Sequence, residues 1–145
     1  MKTAIVFLLQ EAENYLNGAA IALPSLSRKL LSNGSEEFPK LVDLIEGLQE
    51  LHNLLTIAGN EAGFDWSLQE IKGRKAIALI NDLNESNNEM IEALTNKDFI
   101  LIADLLEFVL PLKLLAYRQL FTTLRQKLLS DSDLPVEETQ EVIMR

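Results

Sequence analysis

Apolar residues recur at spacings of three and four along four long segments of this 145-residue chain, and this spacing constrains the fold most strongly. An α-helix has about 3.6 residues per turn, so such spacing places the apolar side chains on one face. No segment shows the apolar and polar alternation that is typical of a strand. We therefore predict an all-α protein.

The first two predicted helices are separated by a clear turn. The Asn33-Gly34 pair ends the first helix, and Ser35 is the predicted N-cap of the second. Gly59 is the predicted exit of the second helix. The apolar face of the first helix consists of Ile5, Leu8, Ala12, Tyr15, Ala19, Leu23, Leu26 and Leu30.

The third and fourth predicted helices begin at aspartates. Asp65 is the expected N-cap of a third helix that runs to about Leu94. The fourth runs from about Asp98 to Leu129 and contains Pro111 in its interior. An interior proline removes a backbone hydrogen bond and bends a helix.

Four amphipathic helices with short links predict an antiparallel up-and-down four-helix bundle. Pro24 and Pro111 predict kinks in the first and fourth helices. We expect residues 1–130 to form this bundle as one domain. Residues 131–145 are predicted to be a short acidic tail, flexible or docked, that folding does not require.

The charge balance argues against several functions. The chain has 22 acidic and 13 basic residues, a net charge of -9 and a pI near 4.6. Affinity for phosphate depends on clustered lysine and arginine, so we predict no nucleic-acid binding. The chain has no cysteine, which excludes disulfides, thiol catalysis and cysteine-ligated metal sites.

The same residues bear on location. No run reaches the 18 or more apolar residues that a membrane helix needs, so we predict no membrane span. Gln10, Glu11 and Glu13 interrupt the N-terminal apolar run too early for a signal peptide. We therefore expect an unprocessed cytoplasmic protein.

The fourth helix combines a narrow polar stripe with a wide apolar arc. Helical geometry places the polar side chains within about 60° of one another. The wide arc predicts burial at the centre of the bundle or by a second protomer. Lys113 points away from the stripe, which indicates either a phase shift at Pro111 or a lysine whose stem covers apolar surface, rather than a catalytic lysine. The stripe consists of Lys97, Asp104, Glu107, Pro111, Arg118, Thr122 and Arg125.

No group of residues makes a strong case for catalysis. Asp104 and Glu107 could hold a metal or act as an acid/base pair, but the Glu-x-x-His pairs of bundle metal sites are absent, which favours a solvated face. His52 is interpreted as a packed residue rather than a general base or pH switch. No nucleophile or phosphate-loop motif is found. We predict a non-enzymatic protein with no catalytic, cofactor-binding or metal-ligating residue and no cofactor.

Four residues are candidates for an interaction surface: Phe64, Trp66, Phe108 and Leu112. Trp66 follows Phe64 in a loop, where it is either an exposed binding anchor or a cap on the core. Phe108 and Leu112 belong to the wide apolar arc of the fourth helix. Asn87 interrupts the apolar stripe of the third helix, either as a register-setting polar residue or as a solvent-facing one.

The segments "FPKLVDLIEGLQEL" and "NKDFILIADLLEFVLPL", with an Asn-rich helix between them, carry a resemblance that covers about residues 38–115. This pattern resembles a group of small, acidic, all-helical bacterial proteins of unknown function. The resemblance implies a helical fold and cytoplasmic residence. It transfers no functional residue.

These patterns lead to two functional hypotheses. The first is a non-enzymatic helical module for protein interaction, a homodimer or a chaperone-like adaptor, because the apolar faces exceed what four helices can cover. The alternative is a carrier or sensor of an apolar small molecule, held in the bundle interior where Pro24 and Pro111 bend their helices.

Overall fold

The computed structural model describes residues 2–130, and helices account for most of them. The predicted all-α class is confirmed. The predicted count of four helices is not reproduced, because the third predicted helix starts late and the fourth is divided by a π-helical segment, Leu105–Val109. The predicted tail, 131–145, lies outside the described residues. The α-helices are α1 (Lys2–Asn33), α2 (Phe38–Glu61), α3 (Ala76–Thr95), α4 (Phe99–Asp104) and α5 (Leu110–Ser130).

The turn after α1 follows the prediction, whereas the ends of α2 do not. Gly34 has a positive φ of 63°, which suits glycine directly after a helix. A 3-10 turn, Gly34–Glu37, then precedes α2, so the predicted N-cap at Ser35 is wrong. Helix α2 continues through Gly59 to Glu61, and Gly63 supplies the left-handed residue instead.

A short β-hairpin replaces the beginning of the predicted third helix. Asp65 accepts a hydrogen bond from the backbone N–H of Ser67 at 3.0 Å and so caps only a 3-10 turn, Trp66–Leu68. Strand β1 (Glu70–Ile71) then pairs antiparallel with β2 (Arg74–Lys75). The prediction that a helix starts at Asp65 is wrong, because the residues linking the strands adopt a left-handed turn that interrupts a helix.

The two interior prolines have different surroundings. Pro24 lies within α1 without ending it. Pro111 is the second residue after the π-helical segment, and the backbone N–H of Leu110, the first residue after it, donates to the carbonyl of Leu105. A proline ring clashes with the carbonyl four residues earlier in a regular α-helix, and the wider π turn relieves this clash. The predicted kinks at Pro24 and Pro111 stay predictions.

Helix α1 packs mainly against α5, and the two run antiparallel. The C-terminal part of α1 also reaches α4, where the hydroxyl of Ser27 donates to the carbonyl of Ala103 at 2.9 Å. The hydroxyl of Thr122 donates to Glu13 at 2.7 Å towards the other end. Helix α5 also packs against α3, whereas α1 and α2 meet along few residues. The seam between α1 and α2 is therefore open.

The buried face of α1 is rotated by about one residue from the predicted face. Ala12, Leu23 and Leu30 are buried as predicted, but Leu8 and Tyr15 are exposed. The cause is the preference of α1 for α5, which leaves part of the predicted face towards α2. The buried face consists of Leu9, Ala12, Glu13, Leu16, Ala20, Leu23, Ser27 and Leu30.

Within residues 2–130, none of the helices combines the length and apolar character needed to cross a membrane.

Candidate functional site

An apolar groove follows the open seam between α1 and α2, and we call it the α1–α2 groove. It consists of two adjoining depressions of about 470 Å³ and about 380 Å³, and Tyr15 lines both. The larger depression is lined by Ala19, Leu23, Leu26 and Leu44 among others. The smaller is lined by Leu8, Ala12, Leu51 and Leu54 among others.

Small residues leave room along this groove. Gly18, Ala19 and Ala22 on α1 leave space in front of α2. Gly47 on α2 allows the hydroxyl of Tyr15 to approach closely, because a Cβ at this position would lie 2.8 Å from that oxygen. The spacing of small residues on α1 is visible in the sequence, but their position opposite α2 is a property of the packed helices.

Carboxylates surround the apolar floor of the groove. Asp43, Glu11 and Glu50 are among its lining residues, and Lys40 is the single cation among them. Burial raises the pKa of the Tyr15 hydroxyl, and the negative charges of Asp43 and Glu50 raise it further. The groove thus combines an apolar floor with a negative potential.

A second apolar surface lies on the fourth predicted helix. Phe108 is 69% exposed and Leu112 is 74% exposed, so both predicted interaction residues present most of their side chains to solvent. Leu101 and Leu115, which lie to either side of the pair in the sequence, are exposed to a smaller extent, at 39% and 37%. We call Phe108 and Leu112 the α4–α5 face.

The other two predicted interaction residues have a different environment. Phe64 and Trp66 are half-buried and pack against the core, with their rings in an edge-to-face contact at 4.9 Å. The backbone of Gly59 lies against the Trp66 indole, since a Cβ there would be 2.7 Å from Nε1. Phe64 and Trp66 therefore cover the core, whereas Phe108 and Leu112 are exposed to solvent.

The polar stripe predicted on the fourth helix is divided. Asp104 is exposed and Glu107 is half-buried, but Thr122 and Arg125 reach Glu13 on α1. The prediction of one shared polar face is wrong for the part after Pro111, because the π-helical segment changes the phase of the helix. Sequence reasoning missed the partner, Glu13, because it lies on α1, which is far from Thr122 and Arg125 in the sequence although it packs against α5.

Glu13 joins α1 to α5 through a hydrogen-bonded ion pair. Arg125 donates from Nε and, at 3.2 Å, from Nη2, and Thr122 donates at 2.7 Å. Burial favours a raised pKa, but these hydrogen bonds, with the charges of Arg125 and Arg118, lower the pKa of Glu13 below its ordinary value. Glu13 is thus held as a carboxylate and has a structural role.

Lys113 has partners on α3. Its ammonium donates to the hydroxyl of Ser86 at 2.6 Å and to the carbonyl of Asp82 at 3.4 Å. It also lies 3.5 Å from the Asp82 carboxylate, which forms a second ion pair with Arg74 at 3.5 Å. These contacts tie α5 to α3, and they explain how a lysine is accommodated within the apolar arc.

His52 and Asn87 line a polar cavity of about 340 Å³ between α2 and α3. Asn87 is buried, which excludes the solvent-facing interpretation. His52 is half-buried, and its buried Nδ1 has no hydrogen-bond partner among residues 2–130. In that part of the chain, no group of three or more His, Cys, Asp or Glu residues is arranged to hold a metal ion.

The family comparison agrees with the resemblance seen in the sequence. A family model described as a domain of unknown function, DUF8042, matches residues 8–120. Neither the curated proteins nor the solved structures include a significant match to the chain. The family match confirms the resemblance and extends it towards both ends of the chain. Because it covers well over half of the residues, the chain belongs to the DUF8042 family of domains of unknown function.

Proposed function

We propose that this protein is a non-enzymatic, cytoplasmic interaction module that receives a helical segment of a partner protein in the α1–α2 groove. The observation that carries the proposal is the apolar face of α1 towards α2, which the fold leaves partly uncovered. Tyr15 is 42% exposed and Leu8 is 48% exposed in this position. Apolar surface of this extent beside a groove is typical of protein interaction sites.

The dimensions of the groove suit a helix. From Leu8 to Leu26 the groove follows α1 for about 27 Å, at about 1.5 Å per residue. A partner helix of about 18 residues has that length. Helix-in-groove recognition places side chains at positions i, i+3, i+4 and i+7 into such an apolar channel. The α1–α2 groove presents that kind of channel on the outside of the helices.

The charge of the groove indicates the kind of helix. Glu11, Asp43 and Glu50 attract lysine and arginine, and Lys40 offsets one of these charges. A partner helix with an apolar stripe bordered by basic residues therefore complements both the floor and the rim. A second copy of this acidic chain does not, because its net charge is -9.

Model peptides test this proposal. We expect an 18-residue amphipathic helix of leucine and lysine to bind the wild-type protein, measured by titration calorimetry. A counterpart with glutamate in place of lysine should bind at least tenfold more weakly, because it meets the carboxylates of the groove. Ala22→Lys should weaken binding of the lysine peptide by about tenfold, since Ala22 lines the groove and is exposed.

Ala78→Lys is the matched control. Ala78 is exposed on α3 and does not line the groove, so the same substitution there should leave the affinity unchanged. Equal affinity for the lysine and glutamate peptides would contradict the proposal. So would an equal loss of affinity in the two alanine variants, because binding would then depend on the overall charge alone.

The homodimer belongs to the same proposal but uses the α4–α5 face. Phe108 and Leu112 are two of the most exposed large apolar side chains in the described chain and lie four residues apart. Pairing this face with its copy removes both side chains from water. Such burial stabilises a dimer by about 25 cal/mol for each Å² of apolar surface. A symmetric contact needs only one such self-complementary patch.

A carrier or sensor of an apolar small molecule is the second candidate. A volume of about 470 Å³ in the larger depression falls within the range of ligand pockets. The ligand would then lie in the α1–α2 groove rather than at Pro24 or Pro111. A neutral dye such as Nile red distinguishes the two candidates, since tight binding of the dye without binding of the lysine peptide would favour the carrier.

A further inference from the structure

A cavity of about 370 Å³ lies between the β-hairpin and α5, and we call it the hairpin cavity. Lys72, Arg74 and Arg118 line it, and no carboxylate is among its lining residues. This concentration of positive charge contrasts with the net charge of -9 of the whole chain. The hairpin cavity is therefore a local positive site on an acidic protein.

Arg118 carries a polar atom that the described residues do not satisfy. Its Nε is buried and has no hydrogen-bond partner among residues 2–130. Buried polar groups in folded proteins nearly always have a partner, so such an atom needs an explanation. The charge of Arg118 acts on Glu13 at a distance, but Glu13 takes its hydrogen bonds from Thr122 and Arg125. The buried Nε itself has no access to a ligand, but the described residues form no hydrogen bond with the outer nitrogens of the guanidinium either, and these nitrogens are the groups that an anion in the hairpin cavity would meet.

Lys72 occupies a position where lysine is unusual. It has a φ of 52°, in the left-handed region, and Gly73 beside it has a φ of 82°. Two-residue hairpin turns of this kind prefer Asn-Gly, Asp-Gly or Gly-Gly. The turn itself therefore gives no reason for a lysine at this position, whereas a cation at the mouth of the hairpin cavity does.

The charge of Arg74 is not cancelled by its ion pair. Arg74 lies 3.5 Å from the carboxylate of Asp82, and Lys113 lies at the same distance from it. One carboxylate therefore serves two cations. The pair is also exposed at Arg74, so it adds little rigidity and leaves the guanidinium free to reorient.

The remaining walls of the hairpin cavity are mostly apolar. Ile71, Leu79, Leu115 and Ala116 line it, together with the amide of Gln119. Guanidinium groups match the planar oxygens of carboxylates and phosphates with paired hydrogen bonds. We propose that the hairpin cavity binds a small amphipathic organic anion, with a carboxylate or phosphate head between the three cations and a short apolar body against these walls.

Eight-carbon probes test this proposal independently of the α1–α2 groove. Titration calorimetry of the full chain is performed with octanoate, octyl phosphate, octanol and inorganic phosphate. We expect at least one of the two octyl anions to bind, and octanol and inorganic phosphate to bind at least tenfold more weakly. The comparison of octanoate with octyl phosphate identifies the preferred head.

Lys72→Asn provides the sharpest variant, because asparagine suits the left-handed turn and only the charge is lost. Its control is Lys97→Asn, since Lys97 also has a left-handed φ, of 55°, and lies at the opposite end of α3. We expect the first to weaken binding of the octyl anion by about tenfold and the second to leave it unchanged. Arg118→Gln should weaken it by at least as much.

Three results would overturn the proposal. Octanol binding as tightly as the anions would show that the cations have no role. Equal weakening by Lys72→Asn and Lys97→Asn would show a response to overall charge. Failure of both octyl anions to bind at millimolar concentration would show that the hairpin cavity is not a site for small amphipathic anions. This conclusion would hold even if an acidic peptide bound the same surface.

Discussion

Glu13 illustrates how one carboxylate holds two helices together at the residue scale. It lies on the buried face of α1, where a charge is costly unless it is paired. Arg125 and Thr122 supply hydrogen bonds from α5, and the side chain of Glu13 keeps only 11% of its exposure. The sequence shows the apolar spacing on both sides of Glu13, but it does not show that the partner lies more than a hundred residues away.

Glu13→Gln should therefore destabilise the protein at pH 7 by about 2 kcal/mol, between the values for exposed and buried pairs. The lowered pKa of Glu13 means that the folded state gains stability above the ordinary, unfolded pKa of 4.5. This gain disappears as the pH falls through the lower folded pKa. The difference between wild type and variant should thus shrink as the pH falls through the folded pKa of Glu13, as measured by urea unfolding over a series of pH values from 7 downwards.

The control for this prediction is Glu11→Gln, two residues earlier. Glu11 is exposed, so its substitution should change the free energy of unfolding by less than about 0.5 kcal/mol. A loss of equal size in both variants, or a difference for Glu13→Gln that does not decrease as the pH falls, would contradict the role of the ion pair.

At the scale of elements, the π-helical segment decides which residues of the α4–α5 region are buried. Buried residues in a regular helix alternate between spacings of four and three. Ile102, Leu106, Leu110 and Leu114 instead follow three spacings of four, and the alternation starts again at Tyr117. The region thus contains one residue more than a regular helix needs, and the π turn accommodates it.

A deletion tests this interpretation of the π-helical segment. Removing Phe108 in a Pro111→Ala background restores alternating spacings of four and three along the whole buried stripe. We expect this variant to remain folded, with a free energy of unfolding within about 2 kcal/mol of Pro111→Ala alone, since the same apolar side chains stay buried. Circular dichroism and urea unfolding provide the measurement.

Removing Leu115 in the same background is the matched control. This deletion lies outside the π-helical segment and rotates the rest of α5 by about 100° relative to the core. It should therefore cost more than about 3 kcal/mol, because Tyr117, Phe121 and Leu124 lose their buried positions. Similar stabilities for the two deletions would show that the phase of the helix does not control its packing.

The elements also show how much of the fold could be predicted. The end of α1 at Asn33-Gly34 and the start of the fourth predicted helix near Asp98 carry local signals, and both agree with the structure, in which Asp98 is the N-cap of α4. The hairpin strands contain two residues each, which is too short for an alternating pattern. The rotation of α1 depends on its packing against α5, which local spacing does not determine.

The candidate sites depended even more on long-range packing. Phe108 and Leu112 were predicted from the width of an apolar arc, and they are exposed together. The α1–α2 groove was not predicted, because Leu8 and Tyr15 fall on a face that a complete bundle covers. The hairpin cavity was not predicted either, since Lys72 and Arg118 lie far apart in the sequence.

At the scale of the whole molecule, charge is distributed unevenly between the proposed binding surfaces. The α1–α2 groove is bordered by carboxylates, whereas the hairpin cavity is bordered by cations. The α4–α5 face is apolar, and Asp104 is exposed four residues before Phe108. Salt therefore has opposite effects on these interactions. It weakens the binding of charged ligands at the α1–α2 groove and the hairpin cavity, but it favours the homodimer because it screens the repulsion between two acidic chains.

The homodimer proposal predicts a concentration-dependent dimer that becomes stronger as the salt concentration rises. Two copies repel each other through their net charge of -9, and salt screens this repulsion while leaving the apolar contact intact. Light scattering after size-exclusion chromatography, at low and high salt, provides the measurement. The Phe108→Ser, Leu112→Ser double variant should be monomeric under all these conditions, because it removes both apolar side chains from the α4–α5 face.

Ile57→Ser, Leu68→Ser is the matched control, since these residues are 60% and 77% exposed on other parts of the surface. This control should dimerise like the wild type, because it also removes two largely exposed apolar side chains but at a different location. A monomeric wild type at 100 µM or more, in low and high salt, would contradict the proposal. Equal loss of the dimer in both double variants would instead show nonspecific association, and the exposed α4–α5 face would then have no role in self-association.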